Sequence, residues 1–142
     1  MVEPRVLERL FVYGTLRPPS APPALAHILR LASSLGPAWV PGLLYDLGSY
    51  PGAIASPSGA QEHRIHGAVL QLAGPRAWLP ELDVYEGFDP SSPDTSLFVR
   101  TPCTATLVSG QALRCWIYLY RGTPAAGAHI PSGRWEGPAL LG

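Results

Sequence analysis

The sequence predicts an α+β fold built mainly on antiparallel strands, and three observations lead there. Short apolar and β-branched runs recur along the chain, Gly and Pro punctuate them closely, and only two windows carry helical periodicity. A doubly wound parallel sheet would need a crossover helix for nearly every strand. At 142 residues one domain with one core is expected over 1–142.

In chain order, RLFVY over 9–13 is a short strand that stops at Gly14 in a tight turn. Ser20, then Pro22 and Pro23, open a helix whose stripe is Leu25, Ile28, Leu29 and Ala32. Short segments follow: AWVPGLLYDL as strand, GSYPGAIASPSG as loop, and HRIHGAVLQL as strand. The second helical window, GPRAWLPELDVYEG, contains Pro80, so a helix is expected to restart at Pro80 and end at Gly87. A polar loop covers 88–96. VRTPCTATLV and ALRCWIYLY then form a hairpin turning near Ser109-Gly110. A three-residue loop would set Cys103 opposite Cys115, whereas a two-residue turn would put them on opposite faces. Both are expected to be reduced, and the four tryptophans, at 39, 78, 116 and 135, are expected to anchor the core.

Composition excludes several function classes. Hydrophobic residues make up 46% of the chain and charged ones 14%, far from the signature of disorder. Net charge is zero, lysine is absent and the arginines are scattered, so no stripe tracks a phosphate backbone and no nucleic-acid partner is expected. Charges at Glu3, Arg5, Glu8 and Arg9 interrupt any signal-like stretch, and no window has the apolar length of a membrane span. The expectation is a cytoplasmic protein without a membrane partner. His63 and His66 would point to opposite faces of a strand and lack a third ligand, so no metal site is expected.

Two stretches can carry chemistry. Tyr13-Gly14-Thr15-Leu16 follows a strand, and successive N–H groups in such a turn can converge on a carboxylate. The alternative is an ordinary glycine turn with no ligand. Glu86 in Leu82-Asp83-Val84-Tyr85-Glu86-Gly87 sits at the negative end of a helix, where the macrodipole and burial both raise a carboxyl pKa and make a better base. The alternative is that Glu81, Asp83 and Glu86 solvate an exposed helix face.

FVYGTLR, LYDLGSYPGA, LDVYEG, RCWIYLY and IPSGRW, in that order, resemble the γ-glutamylcyclotransferase-like family over nearly the whole chain. The resemblance implies a small antiparallel barrel with flanking helices. It implies a substrate-binding loop at Tyr13, Gly14, Thr15 and Leu16, a catalytic Glu86, and Tyr118 lining the pocket. The implied reaction closes a γ-glutamyl group of a small-molecule amine or amino-acid conjugate to 5-oxoproline, with no cofactor. Phe98 stands where the family has tyrosine, and Arg134 where it has aspartate. A non-catalytic binding module of this fold, or an amide hydrolase using Glu86 to activate water, remain alternatives.

Overall fold

The computed structural model describes residues 9–14, 30, 32–56, 63–72 and 75–136. They form strands β1 (Arg9–Val12), β2 (Ser33–Asp46), β3 (Pro51–Ala55) and β4 (Arg64–Gln71), then helix α1 (Pro75–Glu86), then strands β5 (Phe98–Leu107) and β6 (Ala112–Tyr120). Short 3-10 turns lie at Pro93–Thr95 and Ala126–Ala128. The helix expected across Leu25, Ile28 and Leu29 lies outside the described residues, as do Thr15 and Leu16.

The sheet order is β3-β2-β4-β1-β6-β5, and β5 returns to β2 through Ala38 opposite Leu107 and Trp39 opposite Thr106. Strands β2, β4, β1, β6 and β5 therefore close into a five-stranded barrel with no free edge within the ring. Every pairing is antiparallel except β1 with β6, which run parallel at Leu10 opposite Trp116. These are the first and last described strands, so nearly the whole chain serves as their crossover.

Strand β2 makes closure possible by pairing with three neighbours. Its first part bonds to β4, its middle to β4 and β5 together, and its last residues to β3. A register shift between Ser34 and Gly36, with Gly36 at φ 113°, bends it where it enters the barrel.

The period-2 alternation of strands divides the apolar residues into two sets. Phe11, Tyr13, Val40, Val69, Ala105, Cys115 and Ile117 fill one cluster, the barrel interior. Leu10, Val12, Leu70, Phe98 and Tyr118 belong to the other, packed with Trp78 and Leu82 of α1. A buried leucine or tryptophan of this kind contributes about 1.5–3 kcal/mol, so α1 is held to the outer barrel wall mainly by Trp78 and Leu82.

Several expectations change. Helix α1 begins at Pro75 and carries Pro80 inside it instead of restarting there. Pro80 is exposed, so its missing N–H falls on the side open to water while Trp78 and Leu82 pack inward. The segment PGAIA is a strand rather than loop, because the turn before it (Leu47 N–H to Tyr50 carbonyl, 3.0 Å; Gly48 N–H to Asp46 Oδ1, 2.8 Å) folds it back onto β2. Of the four tryptophans only Trp78 is fully buried; Trp39 is half-buried, with the Arg64 guanidinium 3.8 Å from its ring centre. The β5–β6 hairpin has the three-residue loop: Leu107 N–H bonds to Gln111 carbonyl, and Cys103 faces Cys115 with free thiols 3.6 Å apart. Among the described residues, no helix is long and apolar enough to cross a membrane, and no group of three or more His, Cys, Asp or Glu is placed to hold a metal ion.

Gly67 in β4 is required by close approach. A Cβ there would overlap the Val12 carbonyl and come within 2.9 Å of the Phe11 ring, where the end of β1 crosses the barrel wall. Gly67→Ala is expected to destabilise the fold by about 1–3 kcal/mol, measured as a lower urea midpoint with an unchanged slope.

Candidate active site

A cavity of about 400 Å³ opens where the end of β1, the β2–β3 turn, the end of α1 and the start of β5 converge. Tyr13, Gly14, Glu86 and Tyr118 all line it, together with Tyr50, Pro51, Tyr85, Leu97 and Phe98. It lies against the outer wall, because the barrel interior is already filled with side chains.

Gly14 lies two residues beyond the end of β1, and its lack of a side chain is what lets the chain pass β3: a Cβ would lie 2.7 Å from Pro51 Cγ. Tyr13 projects inward instead. Its hydroxyl donates to the Tyr118 carbonyl at 2.6 Å and accepts from the Ala53 N–H at 3.3 Å, joining β1 to β6 and β3. Burial, and then the charge of Glu86, hold its phenol proton on well above the ordinary range.

Tyr118 donates its own hydroxyl proton to Asp83 Oδ1 at 2.7 Å. Burial and that bond keep the phenol protonated. Both tyrosines thus commit their protons to protein acceptors, and what they present to the cavity is chiefly ring surface.

Asp83 is the group that sequence reasoning missed. Far from solvating an exposed face, it is 4% exposed and bound by Arg100 in a forked pair, Nε to Oδ1 at 2.8 Å and Nη2 to Oδ2 at 3.1 Å. The Arg100 guanidinium also lies 4.5 Å from the Trp116 ring centre. The signal for Asp83 was its position one helical turn before Glu86; nothing local in the sequence pointed to Arg100. Glu81, in contrast, is exposed.

Glu86 occupies the final residue of α1, and Gly87 at φ 72° reverses the chain immediately after it. The helix end is closed by Phe88 N–H to the Asp83 carbonyl at 2.8 Å and by Leu97 N–H to the Gly87 carbonyl at 2.9 Å. No cation among the described residues pairs with Glu86, and burial pushes its carboxyl up to about 7. Two acids three residues apart therefore differ in kind: one is neutralised by an arginine, the other faces the cavity uncompensated.

Phe98, where a tyrosine hydroxyl is absent, packs between Tyr50 and Tyr120, with ring centres 6.1 and 5.6 Å away, and forms an apolar wall of the cavity. Arg134 is exposed and is not among the lining residues.

No curated protein matches the chain by sequence. Among solved structures, an AIG2-like protein from Mus musculus is similar with a TM-score of 0.66 and 19% identity, over 92% of this chain and 90% of that one. YkqA from Bacillus subtilis is similar with a TM-score of 0.65 and 22% identity, over 90% of this chain but only 39% of its own. A gamma-glutamyl cyclotransferase gives a TM-score of 0.57 and 15% identity, over 85% of this chain and 73% of that one. At these identities the structural likeness establishes the fold alone. The family is established by sequence: the model for gamma-glutamyl cyclotransferase, AIG2-like proteins matches residues 10–137, and the chain belongs to that family.

Proposed function

We propose that the protein is a cyclotransferase that converts a γ-glutamyl amide to 5-oxoproline and a free amine, with Glu86 as the proton-transfer group. The observation that carries this is the placement of Glu86, without a cation partner among the described residues and with a raised pKa, on the same cavity as the Gly14 strand end. In such a substrate the α-amine and the γ-carbonyl belong to one molecule. Attack forms the ring N–C bond and breaks the C–N bond to the leaving amine. Holding the folded conformer supplies up to about 7–11 kcal/mol of the barrier, so no protein nucleophile or cofactor is required.

The α-amine has an ordinary pKa of about 8 and arrives mainly as an ammonium, which cannot attack. The Glu86 carboxylate, with its pKa near 7, accepts that proton at little energetic cost and returns it to the nitrogen of the departing amine, which leaves and takes up the second proton that the ring nitrogen sheds. Under this proposal the Gly14 turn, with Thr15 and Leu16 beyond it, anchors the substrate α-carboxylate, while Tyr13 and Tyr118 form the wall behind it.

Three outcomes are expected. With a panel of γ-glutamyl amides, the protein releases 5-oxoproline and not free glutamate, and Glu86→Gln lowers kcat by about 10²–10⁴; release of glutamate would instead identify a hydrolase. The acid limb of kcat/KM lies near pH 7 in the native protein, and in Glu86→Gln it moves to the substrate amine at about 8. A native profile that stays level from pH 5.5 to 8 removes Glu86 from the proton path.

The third outcome concerns stability. The folded-state pKa of Glu86 lies above its ordinary value of 4.5, so folding favours the protonated form; the penalty is absent near pH 4, grows as pH rises through this interval, and is complete above about 7. Glu86→Gln is therefore expected to raise stability by about 1–3 kcal/mol at pH 8 and to leave it unchanged at pH 4, read from thermal melts at the two pH values.

A further inference from the structure

Cys103 and Cys115 are the only cysteines of the chain; they stand opposite each other across the β5–β6 ladder, and the proposed reaction uses neither. Residues opposed in an antiparallel pair have Cα atoms about 4.5 or 5.5 Å apart, and both spacings fall inside the range that a disulfide spans. The two side chains also share a face: both pack against the barrel interior, with their free sulfurs 3.6 Å apart and in hydrogen-bonding contact. Small side-chain rotations bring the sulfurs to bonding distance with the strand register already in place.

Access to the pair is one-sided. Cys115 is 0% exposed, whereas Cys103 is half-buried and flanked along β5 by exposed Pro102 and Thr104. A small oxidant at the barrel wall thus meets the Cys103 sulfur first, and Cys115 stands behind it. The Arg114 guanidinium, which donates across the strands to Thr104 Oγ1 at 3.1 Å, places a positive charge beside both. The hydrogen bond to Cys103, against burial, holds the Cys115 thiol below its ordinary range, while the same bond and then burial hold Cys103 above it. One proton is shared between the two sulfurs, and its passage from Cys103 to Cys115 puts the thiolate on the sulfur that meets solvent.

The same ladder reaches the site. Three rungs along, Arg100 stands opposite Tyr118, and these two side chains hold Asp83 in the last turns of α1. A covalent link between Cys103 and Cys115 fixes β5 to β6 beside the residues that grip the helix.

We propose that Cys103 and Cys115 form a reversible redox site that a hydroperoxide closes to a cross-strand disulfide, stapling β5 to β6. The Cys103 thiolate attacks one peroxide oxygen and the O–O bond breaks; the sulfur becomes a sulfenic acid, and the second oxygen leaves as water with the thiol proton. The Cys115 sulfur then attacks Cys103 Sγ. The S–S bond forms, the S–O bond breaks, and the hydroxyl leaves as a second water with the Cys115 proton. Two thiols give up two electrons, and the O–O bond accepts them. A dithiol reductant reopens the link by exchange. The chemistry is independent of the cavity and of the reaction proposed for it.

The test treats the reduced full chain with hydrogen peroxide and follows it by free-thiol titration, intact mass and peptide mapping. Both thiols are expected to disappear together, the mass to fall by two hydrogens, and the map to join Cys103 to Cys115 within one chain; dithiothreitol restores both thiols. The oxidised protein is expected to melt about 5–10 °C above the reduced one, a gain that Cys103→Ser does not show after the same treatment. In Cys115→Ala, Cys103 is expected to stop at the sulfenic acid and take up dimedone; melts of both variants confirm folding. Thiols that persist in peroxide, a mass gain of two or three oxygens, or a disulfide between chains overturns the site. An intrachain disulfide with no rise in melting temperature overturns the staple, and a Cys115→Ala variant that takes up no dimedone overturns the order of attack.

Discussion

The forked pair between Asp83 and Arg100, completed by the Tyr118 hydroxyl, is the constraint on which the rest of the site depends. It ties the last turns of α1 to β5 and β6 at once. Removing one partner of a buried pair leaves an uncompensated charge and costs about 3–5 kcal/mol, so the helix end cannot drift from the barrel without losing much of its stability. Through the Tyr118 carbonyl the linkage continues to the Tyr13 hydroxyl, and from there to the Ala53 N–H. Helix end, β5, β6, β1 and β3 are thereby joined in one polar chain around the cavity.

That chain also explains why Glu86 has the character it has. A helix places positions i and i+3 on nearly one face, so an acid beside Asp83 would compete for Arg100 if the guanidinium were free to turn. Both carboxylate oxygens of Asp83 and the adjoining Trp116 ring hold the guanidinium where it is. Glu86 is left with burial and no compensating cation among the described residues, the condition that raises a carboxyl into the range useful for taking a proton near neutrality.

What the sequence made legible is what depends on neighbours in the chain. The end of β1 at Gly14, the hairpin around Gly110 and the position of Glu86 in the last turn before Gly87 all follow from turn glycines and local apolar runs. What it left hidden depends on distant partners. No local pattern says that β1 pairs in parallel with β6, or that β2 reaches β5 to close the ring. Pro80 reads as a helix start because a missing N–H usually ends a helix, whereas the inward anchorage of Trp78 and Leu82 outweighs one lost bond on the solvent side. PGAIA reads as loop for its Gly and Pro, and the pairing with β2 overrides them. Asp83 was open to being a surface acid because its cation lies seventeen positions away on a different element.

The strict alternation along β6 has a consequence for how such proteins diverge. Cys115 and Ile117 point into the packed interior, while Tyr118 belongs to the cluster beneath α1 and the cavity. Folding and ligand choice are thus assigned to interleaved positions of a single ribbon. Mutation can sample one register of the alphabet while the other stays frozen, which leaves chemistry free to wander among descendants that keep the same architecture.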